Sequence, residues 1–202
     1  MSGIPGYEPG IGLDLEEYFR KTQQEKVFNL LKCMKKYSLE TFEHSVAVAE
    51  LSGQMGQRLG YTEDDIVRLR AAGLLHDMGK LTIPLTLLCK KGELTKKERE
   101  QIQTHVLAGY TLLLPCISDV NILLAVRQHH ERLDGTGYPD GISKGITDFA
   151  KIVMLADVYD GMTRQRTYRS ESISEVLAKK IMEKDKAGYE GEYLRIFLKN
   201  IV

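Results

Sequence analysis

Apolar residues recur three or four positions apart along most of this chain, which is the spacing of residues on one face of a helix. The clearest stripe consists of His44, Val48, Leu51, Met55 and Leu59. Gly60 follows it, and glycine commonly ends a helix. The pattern predicts helices over residues 14–36, 41–59, 62–76, 95–114, 119–131, 172–186 and 193–201. It therefore predicts an all-α fold.

Three of these helices have recognisable start signals. The segment Thr62–Asp65, "TEDD", offers an N-cap hydroxyl followed by acids in the first turn. The segments Thr95–Glu98, "TKKE", and Ser172–Glu175, "SISE", have the capping-box pattern. Pro115 limits the helix that Thr95 opens, because proline lacks the backbone N–H that a helix interior needs.

Two segments leave alternatives open. The run "DFAKIVMLADVYDGMTR", residues 148–164, fits a strand or a helix by periodicity, and its length and neighbours favour a helix. The helix over 14–36 has a polar middle, which favours a connector or dimerisation helix over a core helix. Residues 1–12 are rich in glycine and proline, and we expect a flexible lead-in there.

Composition excludes several classes of protein. The 202 residues suit one domain, and 28 Lys plus Arg balance 28 Asp plus Glu. The balanced charge argues against binding to long nucleic acid, and no apolar run is long enough for membrane insertion. The widely spaced Cys33, Cys89 and Cys116 do not form a disulfide or zinc-knuckle pattern. We therefore expect a cytoplasmic protein.

The segment "GLLHDMGK" ends an apolar helix with His76 and Asp77, followed by Lys80. Burying these groups together is costly unless their charges compensate one another or a metal does so. The two oxygens of Asp77 could bridge two cations. Lys80 would project into the same pocket, where it could stabilise a substrate oxygen or hold a nucleophilic water.

The other histidines lie on apolar faces. A single such histidine is more often a core residue than a ligand, because metal sites need several converging groups. His44 and His105 nevertheless point inward, and Glu40 lies one turn before His44 as a ligand or as a helix-capping acid. The adjacent His129 and His130 cannot share one helical face, but at a helix end they could fan toward two metals.

The run "LADVYD" adds two further carboxylates. Asp157 is flanked by apolar residues and needs a cation, whereas Asp160 is predicted to hydrogen-bond nearby backbone. Mixed histidine and carboxylate ligands suit iron, manganese or zinc better than magnesium. Such a cavity favours phosphate-ester hydrolysis, because metals lower the pKa of a bridging water and clamp phosphoryl oxygens.

The motifs "HDMGK" and "HHERLDGTGYP", with "HSVAVAE" before them and "LADVYDGMT" after them, resemble the HD-GYP domain of the HD superfamily of metal-dependent phosphohydrolases. The domain would occupy residues 38–202, preceded by the N-terminal helix over 13–37. The resemblance implies a helical bundle around a core centre of two or three transition metals, iron first and manganese next. It implies attack by a metal-bridging hydroxide on cyclic di-GMP, which gives linear pGpG and in some members GMP.

The resemblance also implies roles for individual residues. Asp77 would bridge the metals, Glu40 would serve a third metal, and Lys80 would lie near the hydroxide and the scissile phosphate. Tyr138, Arg166 and Arg169 would contact guanine and phosphate. The implied metal ligands are Glu40, His44, His76, Asp77, His105, His129, His130 and Asp157.

Some positions depart from the family pattern. Thr167 replaces a proline, Gly161 an alanine and Lys151 an arginine, which affects loop rigidity and substrate affinity but no metal ligand. Two alternatives remain: hydrolysis of another cyclic dinucleotide or nucleotide, and a non-catalytic domain that senses cyclic di-GMP or acts as an adaptor. Candidate protein partners are a second copy, paired through the N-terminal helix, and signalling proteins such as diguanylate cyclases.

Overall fold

The structure, a computed structural model, describes residues 13–21, 25–164 and 173–202. Within these ranges it consists of helices and connecting loops, which confirms the all-α prediction. The helices, in chain order, are α1 Leu13–Lys21, α2 Glu25–Tyr37, α3 Leu39–Arg58, α4 Glu63–Leu75, a 3₁₀ helix Met78–Thr82, α5 Leu85–Leu88, α6 Lys96–Gln103, α7 His105–Leu113, α8 Val120–Gln128, α9 Asp148–Thr163, α10 Glu175–Lys184, a second 3₁₀ helix Lys186–Gly188, and α11 Gly191–Asn200.

Side-chain caps fix several helix starts. The Thr62 hydroxyl accepts a hydrogen bond from the Asp65 N–H at the start of α4. Thr95 and Glu98 form the predicted capping box at the start of α6, with reciprocal side-chain to backbone bonds. Gly60, just after α3, has a φ of 74°, which glycine adopts without the penalty that a side chain would bring. The local capping predictions are confirmed at these three positions.

The centre of the bundle is built around α3 and α4, which pack against each other more extensively than any other pair of described elements. Helices α8 and α9 close this pair from the other side, and α7 packs against the first 3₁₀ helix. Leu69, Leu74, Leu75 and Val48 are completely shielded from solvent at these contacts. The core therefore holds the ends of α4 and α8 and the middle of α9 close together.

The single helix predicted over 14–36 is wrong, because the structure contains two helices, α1 and α2. α1 packs on α4 whereas α2 packs on α3, so the two stretches bury different faces. The connector interpretation is also wrong, because Leu15, Phe19 and Leu31 belong to the hydrophobic core. Dimerisation through this region stays a prediction.

Two other boundaries differ from the sequence patterns. The helix predicted over 95–114 is broken at Thr104: α6 has no buried residue, and α7 carries the buried stripe that begins at His105. The cap of α10 is Ser174, whose side chain accepts a hydrogen bond from Leu177 N–H, whereas Ser172 lies outside the described residues. In the described part of the chain, no helix has the length and apolar character required to cross a bilayer.

Candidate metal centre

Five histidines and two aspartates from separate elements converge at the core. His44 comes from the first half of α3, His76 directly follows α4, and His105 opens α7. His129 and His130 follow α8, Asp77 precedes the 3₁₀ helix, and Asp157 lies in α9. Among the histidines, all but His130 are buried, and His130 is half-buried. The convergence predicted from the sequence is therefore present.

Asp77 lies at the middle of the cluster. Its Oδ1 is 3.3 Å from His105 Nε2, and its Oδ2 is 3.3 Å from His76 Nε2 and 3.7 Å from His44 Nε2. Oδ2 also accepts a hydrogen bond of 2.6 Å from the Lys80 ammonium. The two oxygens thus face different histidines, which is the arrangement that a bridging carboxylate needs.

Asp157 also faces two sides of the cluster. Its Oδ1 lies 2.9 Å from His44 Nε2 and 3.7 Å from His76 Nε2. Its Oδ2 lies 3.8 Å from His130 Nδ1. The carboxylate of α9 therefore reaches histidines from α3, α4 and α8.

Three histidines are oriented by backbone carbonyls three residues earlier in the chain. The Nδ1 atoms of His76, His105 and His129 lie 2.7–2.8 Å from the carbonyl oxygens of Gly73, Ile102 and Val126. Because a carbonyl only accepts hydrogen bonds, each Nδ1 carries the proton and donates it. Each ring therefore presents Nε2 to the cluster.

The adjacent His129 and His130 point to different parts of the same cavity. The His129 ring contacts those of His76 and His105, with centroid distances of 4.9 and 5.5 Å. The His130 ring stacks on Tyr138 at 4.6 Å. Two neighbouring histidines at a helix end can thus serve one extended cluster, as the sequence predicted.

Opposite charges shift the pKa values of His76 and Asp77 strongly. Burial alone would lower the pKa of His76, but the charges of Asp77 and Asp157 outweigh it and raise that pKa to about 10. Burial would raise the pKa of Asp77, yet Lys80 and His76 together hold it well below its usual value. This half of the site therefore contains ionised carboxylates that face cationic groups.

Burial favours the neutral form of three other histidines. Desolvation lowers the pKa of His105, and it lowers the pKa of His129 well below its usual value. The pKa of His130 falls to about 3 for the same reason. Metal binding requires a neutral imidazole with a free lone pair. Burial therefore keeps these three imidazoles in the form that can bind a cation.

The donor set fits transition metals. Among the residues that the structure describes, His76 Nε2 and Asp77 Oδ1 are buried atoms without a hydrogen-bond partner, which is rare unless an ion or ligand satisfies them. Three triads have donor atoms within 4.8 Å of one another: His44, His76 and Asp77; His76, His129 and Asp157; and His105, His129 and His130. Clustered imidazoles and carboxylates of this kind can hold metal ions.

Glu40 lies near this cluster but not in these triads. It lines an open pocket together with Ser38, His44, Lys80 and Cys89. Lys80 is half-buried, and its ammonium reaches Asp77 from a 3₁₀ turn rather than from a continued α-helix. Both predicted residues therefore line a pocket that shares His44 with the cluster.

The loop after His130 is held by a residue that sequence analysis missed. Glu131 is completely buried, and its carboxylate accepts hydrogen bonds from the N–H groups of Asp140 and Ile142, at 2.7 and 3.0 Å. Tyr138 N–H donates to the His130 carbonyl at 3.0 Å. A charged residue beside a turn segment is not informative by itself, because its partners lie nine and eleven positions away.

Asp160 is the second residue whose role the sequence did not indicate. The prediction that it hydrogen-bonds backbone is wrong: its side chain contacts His44 Nδ1 at 2.6 Å and the Arg164 guanidinium at 2.8 and 3.1 Å. Asp160 and Arg164 lie one turn apart at the end of α9, so local helix geometry brings them together. Arg166 and Arg169, predicted to bind substrate, lie outside the described residues.

Comparison with known proteins identifies the family to which the chain belongs. A protein-family model described as HD domain matches residues 20–192. A cyclic di-GMP phosphodiesterase of Thermotoga maritima is 33% identical over 190 residues, covering 91% of this chain and 52% of that protein. The 3'3'-cGAMP-specific phosphodiesterase 1 of Vibrio cholerae is 39% identical over 140 residues, covering 68% and 32%. The chain spans about half the length, or less, of these curated relatives.

A solved structure has the same fold. The HD domain of the phosphodiesterase PgpH from L. monocytogenes, in complex with cyclic-di-AMP, superposes with a TM-score of 0.67 at 19% identity. The similarity covers 86% of this chain and 93% of that one. At 19% identity this similarity supports the fold alone, so a function must be inferred from the residues of the cluster.

Proposed function

Since this chain belongs to the HD domain family, as its HD-GYP motifs predicted, we propose that it hydrolyses cyclic di-GMP in a metal-dependent reaction. The product would be linear pGpG, with further cleavage to GMP as an additional step. The reaction class is phosphodiester hydrolysis.

One observation carries this proposal: the described helices bring the donor atoms of five histidines and two aspartates into one cavity. His76 Nε2 and Asp77 Oδ1 remain unsatisfied there. Burying such atoms without a partner costs about 1–3 kcal/mol for each group. Bound cations would remove this cost, because they would pair with both atoms.

We assign the metal ligands to Glu40, His44, His76, Asp77, His105, His129, His130 and Asp157. Two ions would share Asp77, whose oxygens face opposite histidines, and Glu40 would contribute to a third ion. Iron is the first choice of metal and manganese the second, because mixed imidazole and carboxylate sites suit them. When bound, such ions lower the pKa of water and neutralise the charge of a phosphodiester.

The remaining contacts to substrate come from protein side chains. The Lys80 ammonium, anchored by Asp77, would lie beside a non-bridging phosphate oxygen and offset its negative charge. Tyr138, held in place by its stacking on His130, would present its ring to guanine or its hydroxyl to phosphate. Arg166 and Arg169 would bind guanine and phosphate, since the arginine fork matches both.

The choice among cyclic dinucleotides defines a second candidate. One relative is named for cyclic di-GMP and another for 3'3'-cGAMP, at similar levels of identity. Both substrates share the phosphodiester ring, so the described cluster does not distinguish them. We place cyclic di-GMP first because the sequence motifs resemble those of the HD-GYP domain, which implies that substrate.

The test is metal analysis combined with product chromatography. Protein purified without oxygen and reconstituted with Fe²⁺ or Mn²⁺ should contain two or three ions and release pGpG from cyclic di-GMP. The same assay with 3'3'-cGAMP ranks the two substrates. A His76→Ala, Asp77→Ala double variant should lose metal and turnover, whereas Arg127→Gln, which removes an exposed ion pair with Asp140, should retain both.

Two outcomes would contradict the proposal. Reconstituted protein without metal would exclude a metal-dependent hydrolase. Metal-loaded protein that binds cyclic di-GMP but never releases pGpG would favour the adaptor alternative. Dimerisation through residues 13–37, docking to diguanylate cyclases and a cytoplasmic location stay predictions, which size measurement, pull-down and fractionation would test.

A further inference from the structure

His44 differs from three other histidines of the cluster in how its ring is oriented. His76, His105 and His129 each donate Nδ1–H to a carbonyl three residues earlier, so their own backbone fixes them. His44 Nδ1 instead contacts Oδ2 of Asp160, a residue 116 positions later on α9, at 2.6 Å. The orientation of His44 therefore depends on the packing of α9 against α3.

Asp160 is itself fixed by a second contact. The Arg164 guanidinium donates from Nε to Oδ2 at 2.8 Å and from Nη2 to Oδ1 at 3.1 Å. Asp160 is 8% exposed, and its contacts with His44 Nδ1 and the Arg164 guanidinium occupy both carboxylate oxygens. The carboxylate therefore has little freedom to rotate away from His44.

We propose that Asp160, held by Arg164, is a positioning residue that fixes the His44 ring with Nε2 toward the metal cluster. This inference rests on the proposed function, since His44 Nε2 is useful there as a metal ligand. With Nδ1 held by Asp160, Nε2 is the nitrogen directed at the cluster, where it lies 2.9 Å from Asp157 and 3.7 Å from Asp77 and could bind a cation placed between these carboxylates. A carboxylate partner also makes the ring a stronger donor to a cation.

The test compares metal affinity among four variants. Metal-stripped protein is titrated with Mn²⁺, and free Mn²⁺ is followed by electron paramagnetic resonance. Asp160→Ala should weaken binding of the Mn²⁺ ion held by His44 by about 10–100-fold, which is the usual effect of losing such a partner. Asp160→Asn should retain most of the affinity, because its amide oxygen still accepts from Nδ1–H, and Arg164→Ala should lie between the two.

Asp119→Asn is the matched control. Asp119 is also a partly buried aspartate paired with an arginine, Arg68, at 2.5 Å, but it caps α8 away from the cluster. Its replacement should lower the melting temperature and leave Mn²⁺ affinity unchanged. Arg164→Ala keeps the test available if Asp160→Ala fails to fold, because the Arg164 side chain is partly exposed at the helix end.

The outcomes separate the inference from the function on which it rests. Wild-type affinity in both Asp160→Ala and Arg164→Ala, with normal Mn²⁺ uptake by the wild type, would overturn the positioning role and leave the proposed function intact. An equal loss of affinity in Asp119→Asn would also overturn it, because the effect would then reflect general destabilisation. A wild type that takes up no Mn²⁺ would overturn both.

Discussion

Replacing Gly79 by alanine should force the first 3₁₀ helix away from α7 and open the candidate metal centre. A Cβ atom at residue 79 would lie 1.9 Å from the His105 carbonyl oxygen and 2.4 Å from the Gly109 backbone nitrogen. Both neighbours are backbone atoms of α7, so no side-chain rotation can relieve the contact. Gly79 thus permits the close approach that places Asp77 beside His105.

The size of the effect follows from this geometry. Non-bonded carbon and oxygen atoms rarely approach within about 3 Å, so the two backbones must separate by about 1 Å. Overpacking of this kind costs about 1–3 kcal/mol, which corresponds to a decrease in melting temperature of about 2–12 °C for a chain of this size. The Asp77–His105 distance would increase, and a shift of about 1 Å can reduce turnover about 100-fold.

The assay is thermal denaturation of metal-free protein together with metal content and turnover after reconstitution. Two other glycines provide matched controls, because a Cβ atom at either Gly60 or Gly191 would meet no atom within 4 Å. Gly191→Ala should be neutral, and Gly60→Ala should lower stability by about 1–2 kcal/mol through its positive φ while sparing metal content. A Gly79→Ala protein with wild-type stability and metal content would refute the close-contact argument.

Three further predictions concern stability. Burial would raise the pKa of Asp119, but its hydrogen bonds with Arg68 outweigh burial and lower that pKa. The pair therefore stabilises the fold above the unfolded pKa of about 3.9, and this contribution is lost as the pH falls through the folded pKa. The difference in melting temperature between wild type and Asp119→Asn should consequently shrink from about pH 6 to pH 2. Glu131→Gln places an amide donor against a backbone N–H and should cost about 1–3 kcal/mol, seen as faster hydrogen exchange at Ile142. Chelation of bound metal should remove about 2.7 kcal/mol of stability if the free ion was present at about 100 times its Kd, measured by calorimetry with and without chelator.

The sequence predicted those parts of the fold that depend on local interactions. The caps at Thr62 and Thr95 and the turn at Gly60 involve atoms within a few residues, so their residue types are informative. The break at Thr104 was missed because periodicity continues across it. It arises because α6 remains at the surface while α7 packs on the 3₁₀ helix, which is a tertiary effect.

The residues of the cluster also divide into those that the sequence predicts and those that depend on tertiary contacts. The motif residues could be predicted to converge, because buried histidines and carboxylates need common partners. The supporting residues could not: Asp160 reaches His44 across 116 positions, and Gly79 is required by a helix that begins 26 residues later. Neither contact produces a pattern within its own segment of sequence.

The five histidines of the cluster are oriented in two ways, three by local backbone contacts and two by tertiary contacts. For His76, His105 and His129, a carbonyl three residues earlier selects the protonated nitrogen, so the local backbone leaves Nε2 available in each ring. Among the described residues, no backbone carbonyl plays this role for His44 or His130, which depend instead on Asp160 and on stacking with Tyr138. Local structure therefore orients three of the proposed ligands, whereas tertiary packing orients the other two. The contacts made by α9 and by the loop after α8 consequently have more influence on the geometry of the centre than their distance in sequence suggests.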